Sequence, residues 1–367
     1  MQERLYSLDV FRGMTVAAMI LVNNPGSWDS VYAPLLHAHW HGCTTTDLIF
    51  PFFLFIVGVS IHFAYQQKMS EGLSRKNSIK ILKRAAIIFA LGLMLALVPK
   101  FNFTTVRIPG VLQRISLVFL ACAMLYLSTQ WLAQLRIALI LLLSYFVLMT
   151  MIPVPGIGAA NLEPETNLGA WLDRLILSGH LWAQSKTWDP EGLLGTLPAV
   201  ATGILGMLCG RLFYSIDEPA KKVAWLFFVG ALLIVSGLAW GMIFPINKAL
   251  WTSSYVLYTG GIAMQFFAAC YWLIDVQGIK KWSMPFIYYG TNAIFVFVAS
   301  GLLAKMLLRI KVGEGENQTS LWSLIYQNAY ASWLSPKNAS LTFAITLILF
   351  FLVILWQMHK RKIFVKV

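Results

Sequence analysis

The stretch Ser340–Gln357 reads SLTFAITLILFFLVILWQ and holds no charged residue. No face of such a helix is polar enough to meet water, so it must be buried in a core or span a membrane. A helix needs about 20 mostly apolar residues to cross the hydrocarbon of a bilayer. Working back towards the amino terminus, further runs of the same kind place spans at 5–24, 46–66, 84–99, 111–128, 136–152, 192–213, 223–243, 252–274, 284–304 and 340–357. The expected fold is all-α, a polytopic membrane helix bundle of about ten transmembrane helices. The runs at 84–99 and 136–152 are short, which leaves a tilted or re-entrant segment open there.

Composition points the same way. Hydrophobic residues make up 58% of the 367 and charged residues 12%, about half the charge of an ordinary soluble domain. Mean hydropathy is +0.70. The net charge of +13 would suggest nucleic acid in a soluble protein, but no contiguous polar stretch could carry such a domain. The excess reads as a topology signal instead. Lys68, Arg75, Lys76, Lys80, Lys83 and Arg84 sit between the second and third runs; Arg211, Lys221, Lys222, Lys280 and Lys281 occupy later loops of the same parity; Lys360, Arg361, Lys362 and Lys366 close the chain. The positive-inside rule makes that face, and with it both termini, cytoplasmic. The opposite face carries the long loops 153–191 and 309–339 and the loop 25–45, which has no Lys or Arg. No cleavable leader is expected, since the first apolar run starts within ten residues and no small-residue cleavage site follows it. Residues 1–367 read as a single transmembrane domain with no repeat. Cys43, Cys122, Cys209 and Cys270 show no disulfide framework and no CxxC pair.

Ionisable groups at membrane depth are costly, so each raises a functional question. Asn23 and Asn24 end the first span; His37, His39 and His41 follow within His-Ala-His-Trp-His-Gly; Asp47 opens the second span after three threonines. Three of the six histidines therefore fall within five residues. An exposed polar loop is one reading. A metal site is a second, with His37 and His41 one helical turn apart, but no further ligand stands at a matching spacing. Acid–base chemistry is the third and is preferred, with a histidine near neutral pKa and Asp47 to orient it. Arg107 to Arg114, with Gln113, leads into the fourth span; snorkelling suits Arg107 better than the deeper Arg114. Asp189 precedes the sixth span as either an N-cap or a site carboxylate. Lys248, Trp251 and Tyr255 lead into the eighth, where the aromatics fit either a site or an aromatic belt. Asp9 and Arg12 are spaced for an i, i+3 ion pair.

These motifs resemble the heparan-alpha-glucosaminide N-acetyltransferase family. The likeness is carried by Leu8-Asp9-Val10-Phe11-Arg12-Gly13, His37-Ala38-His39-Trp40-His41-Gly42, Asp47-Leu48-Ile49-Phe50-Pro51-Phe52-Phe53, Arg107 to Arg114, Asp189 to Thr196 and Asn247-Lys248-Ala249-Leu250-Trp251, in order over nearly the whole chain. The resemblance implies a membrane-embedded acetyltransferase that takes acetyl-CoA from the cytosol as co-substrate and acetylates the amine of a terminal glucosamine on the far side. It implies a catalytic histidine at His37 and a functional asparagine at Asn23. The family's eukaryotic members have a further amino-terminal lumenal domain and an extra helix. Without them the chain looks like a bacterial-type homologue, expected in the bacterial inner membrane as a multi-pass protein. Its acceptor would be a simpler amino sugar than heparan sulfate.

On that reading His37 is the general base, Asp47 sets its tautomer and Asn23 donates to the thioester carbonyl or the oxyanion; a double displacement through acetyl-His37 stays open. Arg12, Arg114, Gln113, Asp189, Lys248, Trp251 and His41 are candidate binding residues for donor and acceptor, and no metal is expected. CoA phosphates call for cations at the cytoplasmic mouth, for which Arg12, Lys83, Arg84 and Arg136 are candidates. Gly13, Gly58, Gly203, Gly206 and Gly210 would let helices approach closely. Partners are then acetyl-CoA, an amino sugar and the lipid bilayer, with homo-oligomerisation open and no nucleic acid. The rival class is an amino-sugar or small-solute transporter, which predicts midplane carboxylates and an internal repeat; neither is found. A scaffold without catalysis leaves the Asn, His and Asp cluster unexplained.

Overall fold

A helix covers each of the ten expected segments in the computed structural model, which describes residues 5–314 and 318–365. The helices are α1 (Tyr6–Asn23), α2 (Ile49–Tyr65), α3 (Arg75–Leu97), α4 (Val111–Ser128), α5 (Trp131–Met151), α6 (Leu168–Leu177), α7 (Thr196–Ser215), α8 (Pro219–Gly241), α9 (Ser253–Tyr271), α10 (Met284–Thr291), α11 (Ala293–Arg309), α12 (Leu321–Tyr326) and α13 (Pro336–Lys360). A two-residue ribbon, β1 (Lys311–Val312) against β2 (Thr319–Ser320), is the strand pairing among the described residues.

Seven helices are long and apolar enough to cross a bilayer unaided, and eight spans result if the bent pair α10–α11 counts as one. The chain is a multi-pass membrane protein. Two expectations change. The runs read as short belong to longer helices: α3 starts at Arg75, in the charged stretch ahead of its apolar part, and α5 starts at Trp131, with Gln134 and Arg136 inside the helix. The segment 284–304 is not one straight span: it breaks at Asn292, and its halves meet at 75°.

Burial separates an inner ring from a lipid-facing one. α2, α4, α7 and α9 hold the largest core cluster, with Leu54, Phe55, Val118, Ile204, Met207 and Phe267 all out of solvent. By contrast only 17% of the apolar window of α8 and 28% of that of α5 is buried. Apolar surface on that scale has no place in water and fits a hydrocarbon surround.

Small residues set the helix crossings. A Cβ on Gly58 would stand 2.0 Å from the Gly203 carbonyl oxygen, and one on Gly206 would stand 2.1 Å from that of Phe55. α2 and α7 therefore touch backbone to backbone. Gly13 and Gly290 make the same reciprocal approach between α1 and α10, at 1.8 Å to Phe286 O and 2.0 Å to Asp9 O. Gly210 lies against His62. These are the close approaches that the small residues lead one to expect.

The bundle has two chemically different ends. At the basic end the Ser7 N–H donates to Asp275, Lys280 lies over the Tyr6 ring, Lys222 over Phe213 and Arg211 over Trp131. The other end holds the long connections, and the histidine loop is there.

Candidate active site

The loop after α1 has few apolar residues to bury, so polar side chains fix it. Gly26 N and Ser27 N donate to Ser340 O and Oγ at the start of α13. The Thr45 hydroxyl donates back to Pro34 O, and the single Thr44 hydroxyl proton is shared between Leu36 O and Asp47 Oδ2. A second loop, between α8 and α9, is knotted around Asn247: its Oδ1 accepts Leu250 N at 2.9 Å, and its own N–H donates to Thr252 Oγ1 at 3.1 Å. The two loops join where Gly42 N donates to Ile246 O at 2.7 Å and Asn247 Nδ2 lies 3.3 Å from His41 Nδ1. Residues more than two hundred apart in sequence are thus brought together.

At that junction Asp47 is 1% exposed and its oxygens are fully engaged. Oδ2 accepts from Ala38 N, Thr44 N and Thr44 Oγ1 at 3.0, 2.9 and 3.0 Å. Oδ1 lies 2.6 Å from His37 Nδ1. A carboxylate held this way has one orientation, and it puts the Nδ1 proton of His37 on the Asp47 side. The lone pair is then on Nε2, on an imidazole that is half exposed, and Lys248 must give way there when that atom takes a proton. The Lys248 ammonium sits 3.0 and 3.2 Å from the two ring nitrogens and 3.7 Å from Asp47 Oδ1. Burial pushes the Lys248 pKa down, and the Asp47 charge works against that shift. Tyr255 completes the frame by donating to the Asp47 backbone carbonyl.

Cys43 stands beside this group, yet burial and the Asp47 charge raise its thiol pKa to about 12. It stays protonated and is a poor nucleophile. Among the described residues no three His, Cys, Asp or Glu side chains gather as a metal site. The weighed metal arrangement fails on geometry: residues 36–42 are not helical, and His37 faces Asp47 while His41 faces Asn247.

A second polar layer lies under the site. Arg107 binds Asp189 through Nε at 2.8 Å and Nη2 at 2.5 Å, and Nη2 also reaches Glu191. Burial opposes the Arg107 charge, but Asp189 and Glu191 outweigh it and push the pKa up. Snorkelling is thus the wrong reading of Arg107. Asp189 is not the N-cap of α7 either, since that helix starts at Thr196; its Oδ1 caps a local turn by accepting Glu191 N. Arg114 is 1% exposed, donates to Pro190 O and Gly192 O, and lies 5.1 Å from the Trp251 ring. Trp251 and Tyr255, 1% and 0% exposed, are core residues and no aromatic belt. Trp251 has φ +57, a left-handed backbone that its indole hydrogen bond to Thr202 and the Arg114 contact hold in place. Gln113 is buried between Gly92 and Gly110.

The structure therefore groups His37, Asp47 and Lys248, with His41 adjoining, above Arg114, Trp251 and Asp189. Asn23 ends α1 in an exposed position, while its neighbour Asn24 is buried and donates to Ile20 O. Arg12 belongs elsewhere, in a cavity of about 590 Å³ that opens at the basic end. Arg12 pairs with Asp9 at 3.2 Å and donates to Ser60 Oγ at 2.7 Å. Arg84 shares that cavity; Lys83 and Arg136 do not line it. On α2 the lining runs from Tyr65 up to Phe53, which at 1.5 Å per residue is about 18 Å. Sequence reasoning missed Asn247 and Thr44 as supports of the site and left Tyr255 open between a site and an aromatic belt. Asn247 carried a signal, an amide between two apolar runs and next to a lysine.

Residues 4–235 match the family model described as heparan-alpha-glucosaminide N-acetyltransferase, catalytic. The chain is 30% identical to the human heparan-alpha-glucosaminide N-acetyltransferase (Homo sapiens), over 80% of the chain and 52% of that protein. It is 29% identical to the mouse (Mus musculus) protein of the same name, over 82% and 54%. The chain thus spans about half the length of these relatives. With the histidine loop, Arg107 to Arg114 and the Asp189 turn all lying inside the matched residues, the chain belongs to the heparan-alpha-glucosaminide N-acetyltransferase family.

Proposed function

We propose that the protein is a membrane acetyltransferase that moves an acetyl group from cytoplasmic acetyl-CoA to the free amine of a glucosamine-type sugar at the opposite face. The observation that carries this reading is the His37–Asp47–Lys248 group, in which a buried, fully hydrogen-bonded carboxylate orients a half-exposed imidazole beside an ammonium. N-acetyl transfer to a heparan alpha-glucosaminide, the activity for which the relatives are named, is one that such a base can serve.

The amine attacks the thioester carbonyl and forms the C–N bond. His37 Nε2 takes the proton that the attacking amine must lose, and the C–S bond breaks to release CoA as its thiol once protonated. Lys248 stands where negative charge on the carbonyl oxygen would be held, a contribution of about 10² or more in other enzymes. Asn23 shares that task on the strength of the resemblance. Arg114, Trp251, Gln113 and Asp189 keep the site floor rigid, and His41 borders the acceptor side. Arg12 and Arg84 in the basic-end cavity are suited to the phosphates of the donor, whose slender arm would run along α2 towards Phe53.

The orientation follows from charge. Lys and Arg collect at one end of the bundle, which supports a cytoplasmic location for that end and both termini. It also makes ten crossings the preferred count, because α1 and α3, which carry Asp9, Arg12 and a row of cations, then cross with the rest. Residues 1–367 act as one transmembrane catalytic domain, and a bacterial inner membrane is its expected location. The test is release of free CoA by detergent-purified protein given acetyl-CoA and glucosamine. Release coupled to N-acetylglucosamine formation, lost in His37→Ala, is expected; equal release by both proteins would sink the assignment.

A further inference from the structure

The segment that follows α13 forms one side of the basic-end cavity, and no step above uses it. At the end of α13 the N–H groups of Arg361, Lys362 and Ile363 bond back to Gln357, His359 and Met358 carbonyls, and Lys362 takes φ +56. This left-handed turn reverses the chain and sends Ile363–Val365 back over the bundle. Asn292 receives it. That residue is 1% exposed and occupies the break where α10 and α11 bend by 75°. Its Nδ2 donates to Ile363 O at 3.3 Å and its Oδ1 accepts Val365 N at 2.8 Å. One carboxamide therefore satisfies a C=O and an N–H two residues apart, as a neighbouring β-strand would.

Between those two anchors sits Phe364. Its ring lies 5.6 Å from His359, which in turn lies 4.8 Å from Tyr288. Phe364 and Val365 line the cavity that also holds Arg12 and Arg84, yet they remain 38% and 41% exposed. An apolar pair fixed by a buried amide, open to the cavity mouth and preceded by the exposed cations Arg361 and Lys362, offers an aromatic face beside positive charge. That combination suits a flat nucleotide base joined to phosphates.

We infer that residues 361–365 are a wall of the donor site: Phe364 packs against the nucleotide end of a CoA-type donor, and Asn292 is the positioning residue that holds the strap in place. The inference rests on the proposed donor reading, so its test separates the two. Full-length protein in detergent is titrated with CoA, and the KM for acetyl-CoA and for glucosamine are measured in parallel. Phe364→Ala should weaken CoA binding and raise the acetyl-CoA KM about tenfold. Val365→Pro, which deletes the N–H that Asn292 accepts, should do so about fivefold, whereas Val365→Ala, which keeps it, should stay within twofold of wild type. In all three the glucosamine KM and kcat should move less than twofold. A wild type that binds CoA saturably while Phe364→Ala and Val365→Pro bind it equally well would overturn the strap and leave the donor reading standing. A wild type that does not bind CoA would overturn both.

Discussion

His37 Nδ1 lies 2.6 Å from Asp47 Oδ1, so a half-exposed imidazole is tied to a carboxylate that is 1% exposed. The pair is asymmetric by design of the loop: Asp47 spends its other oxygen on two backbone N–H groups and a threonine hydroxyl, and it cannot turn away. Asp47→Asn replaces this acceptor with an amide whose NH₂ cannot accept from His37. The expected outcome is a fall in kcat of about 10² to 10⁴, with acceptor KM little changed. Steady-state kinetics with glucosamine in excess measure it.

The Lys248 ammonium lies 3.0 and 3.2 Å from the two ring nitrogens of His37, and the proposed mechanism uses it to hold charge on the reacting carbonyl. Lys248→Met, which keeps the length and removes the charge, should lower kcat about 10²-fold. Lys248→Arg restores charge but not the compact ammonium and should recover only part of the loss. A Lys248→Met protein with unaltered kcat would remove this residue from the mechanism.

Arg107 neutralises two carboxylates beneath the site, one of them with its side chain out of solvent. Arg107→Met leaves Asp189 and Glu191 without the cation that hydrogen-bonds both, so destabilisation of about 2–4 kcal/mol is expected. Thermal unfolding in detergent should show it as a lowered Tm, with Arg107→Lys intermediate because the fork is lost and the charge is kept.

Asp173, 2% exposed in α6, carries a pH signature. Burial, with Asp189 adding, raises its pKa to about 6 although Leu193 N donates to it. The unfolded value is about 3.9, so between about pH 4 and 6 the folded chain binds more protons than the unfolded one. Stability from this group is full below pH 4 and is lost as pH rises towards 6, by on the order of 3 kcal/mol. Asp173→Asn should flatten Tm across pH 4–6 and raise it at pH 7. A mutant whose Tm follows wild type over that range would contradict the assignment.

The α2–α7 crossing connects packing to the site, because Asp47 lies in the short turn that leads directly into α2. Gly58→Ala brings a methyl to 2.0 Å from a backbone oxygen that has no rotamer to escape into. Overpacking of this kind costs about 1–3 kcal/mol or more. Reduced folded yield and reduced activity in what does fold are the expected results, read by size-exclusion profile and specific activity.

The sequence made the spans legible because a run of apolar residues has few alternatives. Helix ends were harder. Arg75 to Arg84 look like a loop in hydropathy although their helix continues through them, and the break at Asn292 leaves no mark in an apolar run. His37 and Asp47 could be paired from their spacing, since both lie in one loop. Lys248 and Asn247 reach the same place from more than two hundred residues away, through a contact that only the packed bundle creates. Trp251 and Tyr255 were open to an aromatic-belt reading for the same reason: burial is decided by neighbours. Arg107 was misread because its partner Asp189 is 82 residues distant.

Transfer across the membrane is the central claim. Protein reconstituted into vesicles with glucosamine enclosed and acetyl-CoA added only outside tests it directly. N-acetylglucosamine is expected inside the vesicles, formed in step with CoA release outside, by wild type and not by His37→Ala. Enclosed glucosamine left unmodified, by protein that acetylates the sugar in detergent, would contradict it.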